Sequence, residues 1–262
     1  MKEIRRINFE NGEAYEGEID VKTGKPHGFG RHYVKEALLY VGGYKNGLRH
    51  GKGTLHLTDG RKYEGRFKNG SFHGKGAMYF NEEHNIRFFE GRYKNGIPVK
   101  GTKYYRDGRI ISGKINKDGN YYGKVNKYSP DGAIITEHYC DGKTDFSSKI
   151  TIFLSGGAQF KGYMHPNGDF KSGTMEFKRG ESYNGEFHNN KFHGYGEYKY
   201  SDGIVYKGYW KNGERCGSGT VKFPDGDRYE GIWSEDGTSR GVYYSKNGES
   251  RTAYYDKNGI AH

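Results

Sequence analysis

Short runs of alternating apolar and polar residues follow one another along the chain, and each run ends at a turn dipeptide. Examples are "TLHL" at 54–57 and "RKYEGRF" at 61–67. Alternation with a period of two predicts half-buried β-strands, and no stretch shows a sustained helical period. We therefore predict an all-β protein built as a succession of β-hairpins.

Two kinds of turn dipeptide separate these runs. Asn-Gly occurs at Asn46-Gly47, Asn69-Gly70, Asn95-Gly96 and Asn212-Gly213, and Asp-Gly at Asp59-Gly60, Asp107-Gly108, Asp202-Gly203 and Asp225-Gly226. Both dipeptides favour type I′ hairpin turns, in which the two central residues have positive φ. The prediction is a type I′ turn at both sites of each repeat.

The stretch "YEGRFKNGSFHGKG" at 63–76 returns in outline at 40, 183 and 206. An aromatic or apolar residue opens each copy, and these residues are Tyr15, Tyr40, Tyr63, Phe89, Ile111, Ile135, Phe160, Tyr183, Tyr206 and Tyr229. The steps between them are 22 to 26 residues. A fixed period in this range predicts a repeat array in which each unit packs only on its neighbours.

The period divides the chain into five predicted segments. These are a cap strand at 1–14, repeats 1–4 at 15–110, degenerate repeats 5–6 at 111–159, repeats 7–10 at 160–251 and a partial C-terminal repeat at 252–262. In the degenerate segment, Ile111 and Ile135 replace the aromatic residue, and Glu137 stands where a glycine belongs. A kink or a non-repeat insertion there is the alternative to two repeats in register.

Aromatic residues and glycines carry the packing in this composition. Only 32% of the chain is hydrophobic, while 44 residues are glycine and 25 are tyrosine. Tyr63 and Phe67 are four residues apart and share one face of their strand. Gly65 is expected to leave a gap in which a neighbouring ring lies against bare backbone. Stacked from unit to unit, such pairs predict an aromatic spine along one side of the sheet.

The repeat resembles the MORN (membrane occupation and recognition nexus) repeat, whose motif is close to Y-x-G-x-[FYW]-x-x-G-x-x-H-G-x-G. The matching positions are Tyr63, Gly65, Phe67, Gly70, His73, Gly74 and Gly76 in one copy and Tyr183, Gly185, Phe187, His193, Gly194 and Gly196 in another, where Asn190 replaces a glycine. The resemblance implies an elongated, twisted, single-layer antiparallel sheet. It also implies a scaffold or adaptor near membranes and cytoskeleton, which binds protein partners and anionic phospholipids.

The first functional prediction is a non-enzymatic scaffold that binds a helix or peptide of a partner protein. Its groove is predicted to be lined by the aromatic spine, because repeat arrays commonly bind peptides on long concave surfaces. The predicted groove residues are Tyr40, Tyr44, Tyr63, Phe67, Phe89, Tyr93, Phe160, Tyr183, Phe187, Tyr206, Trp210, Tyr229 and Trp233.

The alternative prediction is docking on anionic phospholipids through the basic stretch 51–130. This stretch carries +10 of the chain's net charge of +11. Each Lys or Arg near an anionic membrane contributes about 1 kcal/mol. The predicted lipid-binding residues are Arg61, Lys62, Arg66, Lys68, Arg92, Lys94, Lys100, Lys103, Arg106 and Arg109. A solvated surface that protects sheet edges from aggregation is the competing explanation of these charges.

No motif predicts catalysis, a metal or a cofactor. The His-Gly pairs at His27, His50, His73 and His193 recur about 9–10 Å apart, whereas zinc–nitrogen bonds are about 2.0–2.1 Å long. The glycine clusters neither continue into a GK[ST] box nor open a helix. Nucleic acid is a weaker option, because the rings that stacking would need are already used for packing.

The remaining predictions concern the compartment and self-association. The start "MKEIRRINFENGEAYEG" lacks an apolar signal-peptide core, so the expected location is cytoplasmic, with membrane or cytoskeletal association. Cys140 and Cys216 are expected to be free thiols, with one disulfide as the less favoured alternative. The segment "RTAYYDKNGIAH" at the end carries few charges, and homodimerisation through this terminal strand is a further prediction.

Overall fold

The computed structural model describes residues 2–256, which contain 23 β-strands and no helix. The described residues therefore include no helix long and apolar enough to cross a membrane. The predicted all-β fold of tandem antiparallel hairpins is confirmed. The chain forms two compact units, one from its beginning to Pro130 together with Tyr139–Lys143, the other from Asp131–His138 and the chain from Thr144 onwards.

The strands are numbered in chain order. Those of unit 1 are β1 Lys2–Asn8, β2 Glu13–Asp20, β3 Pro26–Val34, β4 Ala37–Lys45, β5 Leu48–His56, β6 Lys62–Lys68, β7 Ser71–Tyr79, β8 Ile86–Lys94, β9 Ile97–Tyr105, β10 Ile110–Ile115 and β11 Tyr121–Tyr128. The next two are β12 Ile134–Cys140 and β13 Lys143–Thr144. Those of unit 2 are β14 Ile150–Phe153, β15 Gln159–Met164, β16 Phe170–Glu176, β17 Ser182–His188, β18 Lys191–Lys199, β19 Val205–Lys211, β20 Glu214–Lys222, β21 Arg228–Trp233, β22 Ser239–Tyr244 and β23 Ser250–Tyr255.

Each unit is an open sheet in which every strand pairs with the next one along the chain. Paired glycines mark the same level on successive strands, which we call the glycine line. In unit 1 the line consists of Gly17, Gly30, Gly42, Gly53, Gly65, Gly76, Gly91, Gly101 and Gly113. In unit 2 it consists of Gly162, Gly173, Gly185, Gly196, Gly208, Gly219, Gly231 and Gly241.

The glycine line exists because one ring of each repeat lies on it. A Cβ atom at Gly65 would be 2.5 Å from Tyr63 Oη, and one at Gly76 would be 2.5 Å from Tyr63 Cζ. The expected neighbouring ring is therefore the tyrosine two residues earlier on the same strand. Tyr40 and Tyr183 cover the glycines after them in the same way. This packing fixes the tyrosine–x–glycine spacing of the repeat.

The two turn types differ, so one prediction is confirmed and the other is wrong. Asn69 and Gly70 both have positive φ, 50° and 84°, as type I′ requires, and the other three Asn-Gly turns agree. At the Asp-Gly sites only the glycine has positive φ, for example Gly60 at 83°. Leu57 N donates to Arg61 O, and Gly60 N donates to Leu57 O, which encloses three loop residues. This is the geometry of a type I turn followed by a left-handed glycine.

Asp side chains explain why the Asp-Gly turns are longer. Asp59 Oδ1 accepts a hydrogen bond from the backbone N–H of Arg61 at 3.1 Å. The Asp107, Asp202 and Asp225 carboxylates accept from the residue two positions later in the same way. An Asx interaction of this kind stabilises a turn without placing the aspartate in the left-handed region.

The glycine line is interrupted between the two units. Val125 pairs with Gly113, and Ile150 pairs with Gly162, so larger side chains occupy the level of the line there. Val125 and Ile150 lie within the segment 111–159 that was predicted to be degenerate. The exact segment boundaries remain predictions. The final part of the predicted partial repeat, residues 257–262, lies outside the described residues, and so does part of the predicted dimerising strand.

Candidate partner-binding surfaces

Each tyrosine on the glycine line whose contacts follow donates a hydrogen bond from its hydroxyl to a backbone carbonyl. The Tyr63 hydroxyl donates to Arg66 O at 3.1 Å, and the Tyr40 hydroxyl donates to Gly43 O at 3.0 Å. Tyr183 and Tyr206 repeat this contact with the carbonyl three residues later. Burial raises the pKa of Tyr63 to about 12. These phenols are therefore neutral structural groups near neutral pH.

The predicted spine of rings is present in each unit. Tyr63 contacts Phe67 in the same strand edge to face, with centroids 5.2 Å apart, and Tyr40 contacts Phe67 at 5.1 Å. In unit 2, Tyr183 contacts Trp210 at 5.5 Å. Ring pairs of this geometry contribute about 0.5–1.5 kcal/mol beyond the area that they bury. The spine consequently connects each repeat to the next.

All thirteen predicted groove residues are buried, with 8% or less of their surface exposed. A second layer of side chains covers several of them. Phe72 stacks on Tyr63 at 4.0 Å, and the Arg49 guanidinium lies 5.2 Å from the centre of the Tyr40 ring. The structure gives the thirteen rings a packing role, and their binding of a partner stays a prediction.

A cavity of about 310 Å³ opens beside two of these rings in unit 2. Its apolar wall includes Tyr229, Trp233 and Phe223, and the Arg215 guanidinium lies 5.8 Å from the centre of the Trp233 ring. The full lining is Tyr200, Asp202, Ile204, Arg215, Val221, Phe223, Tyr229, Trp233, Gly237, Ser239, Tyr255 and Asp256. An apolar concavity with a few polar groups is the usual form of a binding pocket.

The ten predicted lipid-binding residues fall into two sets. In the first, the side chains already have partners. Arg61 pairs with Asp59 at 2.6 Å, and Lys62 pairs with Glu64 at 2.8 Å. Arg109 pairs with Asp107, Arg106 donates to the carbonyls of Asn81 and His84, and Lys103 lies over the Tyr121 ring, where burial lowers its pKa.

The second set is exposed and lies on one face of unit 1, and its members are Arg66, Lys68, Arg92, Lys94 and Lys100. No ion pair within residues 2–256 involves them. Strand alternation places them opposite the buried rings, since Arg66 stands between Gly65 and Phe67. The sequence alone did not show how many cations share a face. The strand register shows that these five do. Their binding of phospholipid stays a prediction.

Three of these residues and four further cations form what we call the basic row, with one residue on each strand from β5 to β11. Its members are Lys52, Arg66, Lys75, Arg92, Lys100, Lys114 and Lys124. Lys52, Lys75, Lys114 and Lys124 were not among the predicted site residues. The sequence does contain a pattern that identifies them, because Lys52 and Lys75 both occupy the x position of an HGxG motif. Comparing equivalent repeat positions, rather than adding charge along the chain, reveals the row.

The repeated histidines differ in their contacts, since the Nδ1 atoms of His27, His50 and His73 are buried without a hydrogen-bond partner among the described residues. His193 Nδ1 accepts a hydrogen bond from Asn212 N at 3.5 Å, which connects one repeat to the turn of the next. No group of three potential metal-ligating side chains was found within residues 2–256. Cys140 and Cys216 are both free thiols, as predicted.

The fold and these surfaces define the class of protein as a tandem β-hairpin repeat protein. Residues 40–60, 63–82, 183–205 and 206–228 each match the family model of the MORN repeat. The chain is therefore a MORN-repeat protein. The repeats of this family form non-catalytic scaffolds, and they fit a protein that binds other proteins.

Two solved structures illustrate what the chain is similar to. The TCP domain of SAS-4 (dCPAP) from Drosophila melanogaster, in complex with a proline-rich motif of Ana2 (dSTIL), has 12% sequence identity and a TM-score of 0.39, covering 62% of this chain and 93% of that chain. The TCP10 domain of CPAP from Danio rerio has 13% identity and a TM-score of 0.42, covering 94% of this chain and 97% of that chain. No curated protein sequence matches the chain.

Proposed function

We propose that this protein is a non-enzymatic scaffold that binds a partner protein through the aromatic cavity of unit 2. The cavity carries the proposal, because the partly exposed apolar side chains of Ile204, Phe223 and Tyr255 meet there beside the buried spine. It contains Tyr229 and Trp233, the last two residues of the predicted groove. Its volume of about 310 Å³ accommodates one large apolar side chain of a partner.

The polar groups around the cavity give a bound segment its orientation. Arg215 lies on one wall, while the carboxylates of Asp202 and Asp256 lie on the lining as well. A partner segment with an apolar anchor and flanking polar residues matches this arrangement. Buried aromatic contacts of this kind commonly supply most of the affinity of a protein interface.

The experiment uses the full chain with a photoreactive phenylalanine analogue in place of Phe223, which lines the cavity. The matched control carries the analogue at Ile232, which alternates with Trp233 and is 65% exposed on the opposite face. We expect one partner segment to crosslink at 223 and not at 232. Equal crosslinking at both positions would contradict the proposed site.

A substitution then tests the same cavity by affinity. Ile204→Glu places a charge on the wall, and Ile232→Glu adds the same charge to the opposite face. We expect Ile204→Glu to weaken binding of the crosslinked partner about tenfold or more, because a desolvated carboxylate faces an apolar anchor. Ile232→Glu is expected to leave affinity unchanged. Partner affinity that is insensitive to Ile204→Glu would rule the cavity out.

A further inference from the structure

The basic row is a feature of this chain and not a requirement of the repeat. The equivalent positions of unit 2 include Glu186, Tyr195, Tyr209, Ser218 and Ile232, and the sheet forms there in the same way. Six of the seven row residues also lie on strands that have partners on both sides, β5 to β10, so protection of a sheet edge does not account for them. Folding alone therefore leaves the seven charges unexplained.

The cations of the row are not neutralised by ion pairs in the described part of the chain. All seven side chains are exposed, and none forms an ion pair within 4.0 Å among residues 2–256. By contrast, Arg61 and Arg109 in the same stretch form ion pairs with the aspartates of their own turns. The row is thus free to bind an external anion.

Hollows lie along the row between the cations and a second line of side chains. One hollow is lined by Lys52, Arg66 and Lys75 on one side and Thr54 on the other. The next is lined by Lys75, Arg92 and Lys100, with Ala77, Glu90 and Thr102 opposite. The surface is therefore a channel that is basic along one wall and mildly acidic or neutral along the other.

From this arrangement we propose that the channel binds an extended acidic peptide, a run of Asp and Glu residues in a partner protein. Its carboxylates pair with the basic row. Its backbone N–H groups donate to the Glu90 carboxylate and to the hydroxyl oxygens of Thr54 and Thr102 on the other wall. A polyphosphate chain has no N–H donors for this wall.

The twist of the sheet favours an extended peptide over a flat membrane as the ligand of the basic row. Adjacent strands are rotated by about 20–25° on average, so six steps along the row accumulate about 120–150°. A flat bilayer contacts only a few cations of such a row at once, whereas an extended peptide follows the twist. Seven strands spaced by about 4.8 Å give a row about 29 Å long, which about nine extended residues span.

The test measures binding of a labelled peptide of about nine glutamates to the full chain by fluorescence anisotropy. The row variant is Arg66→Glu with Arg92→Glu. The control is Lys22→Glu with Lys117→Glu, which makes the same change of net charge at exposed turn residues of unit 1. We expect the row variant to weaken binding about tenfold or more and the control less than about twofold. Rising salt should weaken wild-type binding, because the contact is exposed.

Three results would overturn the proposal. The first is an equal loss of affinity in both variants, which indicates attraction by net charge alone. The second is binding of phosphatidylserine vesicles, sensitive to the row variant, without binding of the peptide. The third is tighter row-dependent binding of an oligouridine than of the peptide. Ile204→Glu is expected to leave peptide affinity unchanged, so failure of this proposal and failure of the cavity proposal are distinguishable.

Discussion

The contact between Tyr63 and the glycines beneath it determines what a single residue can change in this protein. The ring occupies the space that two Cβ atoms would need, and its hydroxyl reaches the backbone of its own strand. The steric fit of the ring and its one hydrogen bond therefore make two contributions to stability that can be measured separately. Each can be measured with a substitution of its own.

Gly65→Ala tests the steric fit. Its Cβ atom would lie 2.6 Å from Gly76 Cα as well as 2.5 Å from Tyr63 Oη, and neither the paired strand nor the buried ring can move away freely. We expect the free energy of unfolding, measured by urea denaturation, to fall by about 1–3 kcal/mol or more. Gly156→Ala is the control, because no atom lies within 4 Å of its Cβ position and its φ is not left-handed. Equal stability of the two variants would refute the steric explanation of the glycine line.

Tyr63→Phe tests the hydrogen bond. The ring remains, as Phe89 and Phe160 demonstrate at equivalent positions, but the donor to Arg66 O is lost. We expect a loss of about 1 kcal/mol in the free energy of unfolding. Tyr122→Phe, at a tyrosine that is 41% exposed, should change it by much less. A larger loss in the control would show that the hydroxyl contact is unimportant.

At the scale of elements, the Asn-Gly hairpins connect each repeat to the one before it. Gly70 N donates to Arg49 O at 2.9 Å, and Gly96 N donates to Phe72 O at 2.9 Å. Gly213 N makes the same bond to Phe192 O. The type I′ turn is therefore both a local reversal and a contact between repeats.

Asn69→Val tests this turn. Asn69 has a φ of 50°, which a β-branched residue adopts only with strain. We expect a loss of about 1–3 kcal/mol in the free energy of unfolding, while Asn69→Gly stays close to wild type. Lys117→Val, at an exposed turn position without positive φ, is the control, because it also introduces a β-branched side chain. If it destabilised the protein as much as Asn69→Val, turn geometry would not be the cause.

The sequence predicts these elements well wherever the local signal is unambiguous. Alternation, the repeat period and the Asn-Gly dipeptides led directly to antiparallel hairpins. The Asp-Gly turns were assigned wrongly because the dipeptide alone does not show whether the aspartate side chain will bond to the backbone. The cavity of unit 2 was not predicted, since Phe223 and Tyr255 come together only when their strands are placed side by side.

At the scale of the whole molecule, buried phenols in both units set a limit to stability in alkali. Burial raises the pKa of Tyr15, Tyr44 and Tyr63 to about 12 from an ordinary value of 10.0, and it also raises the pKa of Tyr183 and Tyr206. A raised pKa in the folded state means that folding favours the protonated phenol. The stabilisation is complete below pH 10 and is lost as the pH rises through the folded-state values.

We therefore expect cooperative unfolding to begin above about pH 10. Circular dichroism would follow the loss of strands, and ultraviolet absorbance would follow tyrosinate formation. The two signals should change together, because the rings ionise only as the core opens. Ionisation of most tyrosines while strand content stays constant would contradict this expectation.

The glycine line also restricts how a gene for such a chain can change in length. One residue inserted within a strand reverses the faces of all residues after it, so rings would point to solvent and charges toward the core. Duplication or deletion of a complete repeat leaves this alternation intact. Within each unit, stepwise growth by whole repeats is therefore compatible with the fold, whereas insertion of a single codon is tolerated only at the loops.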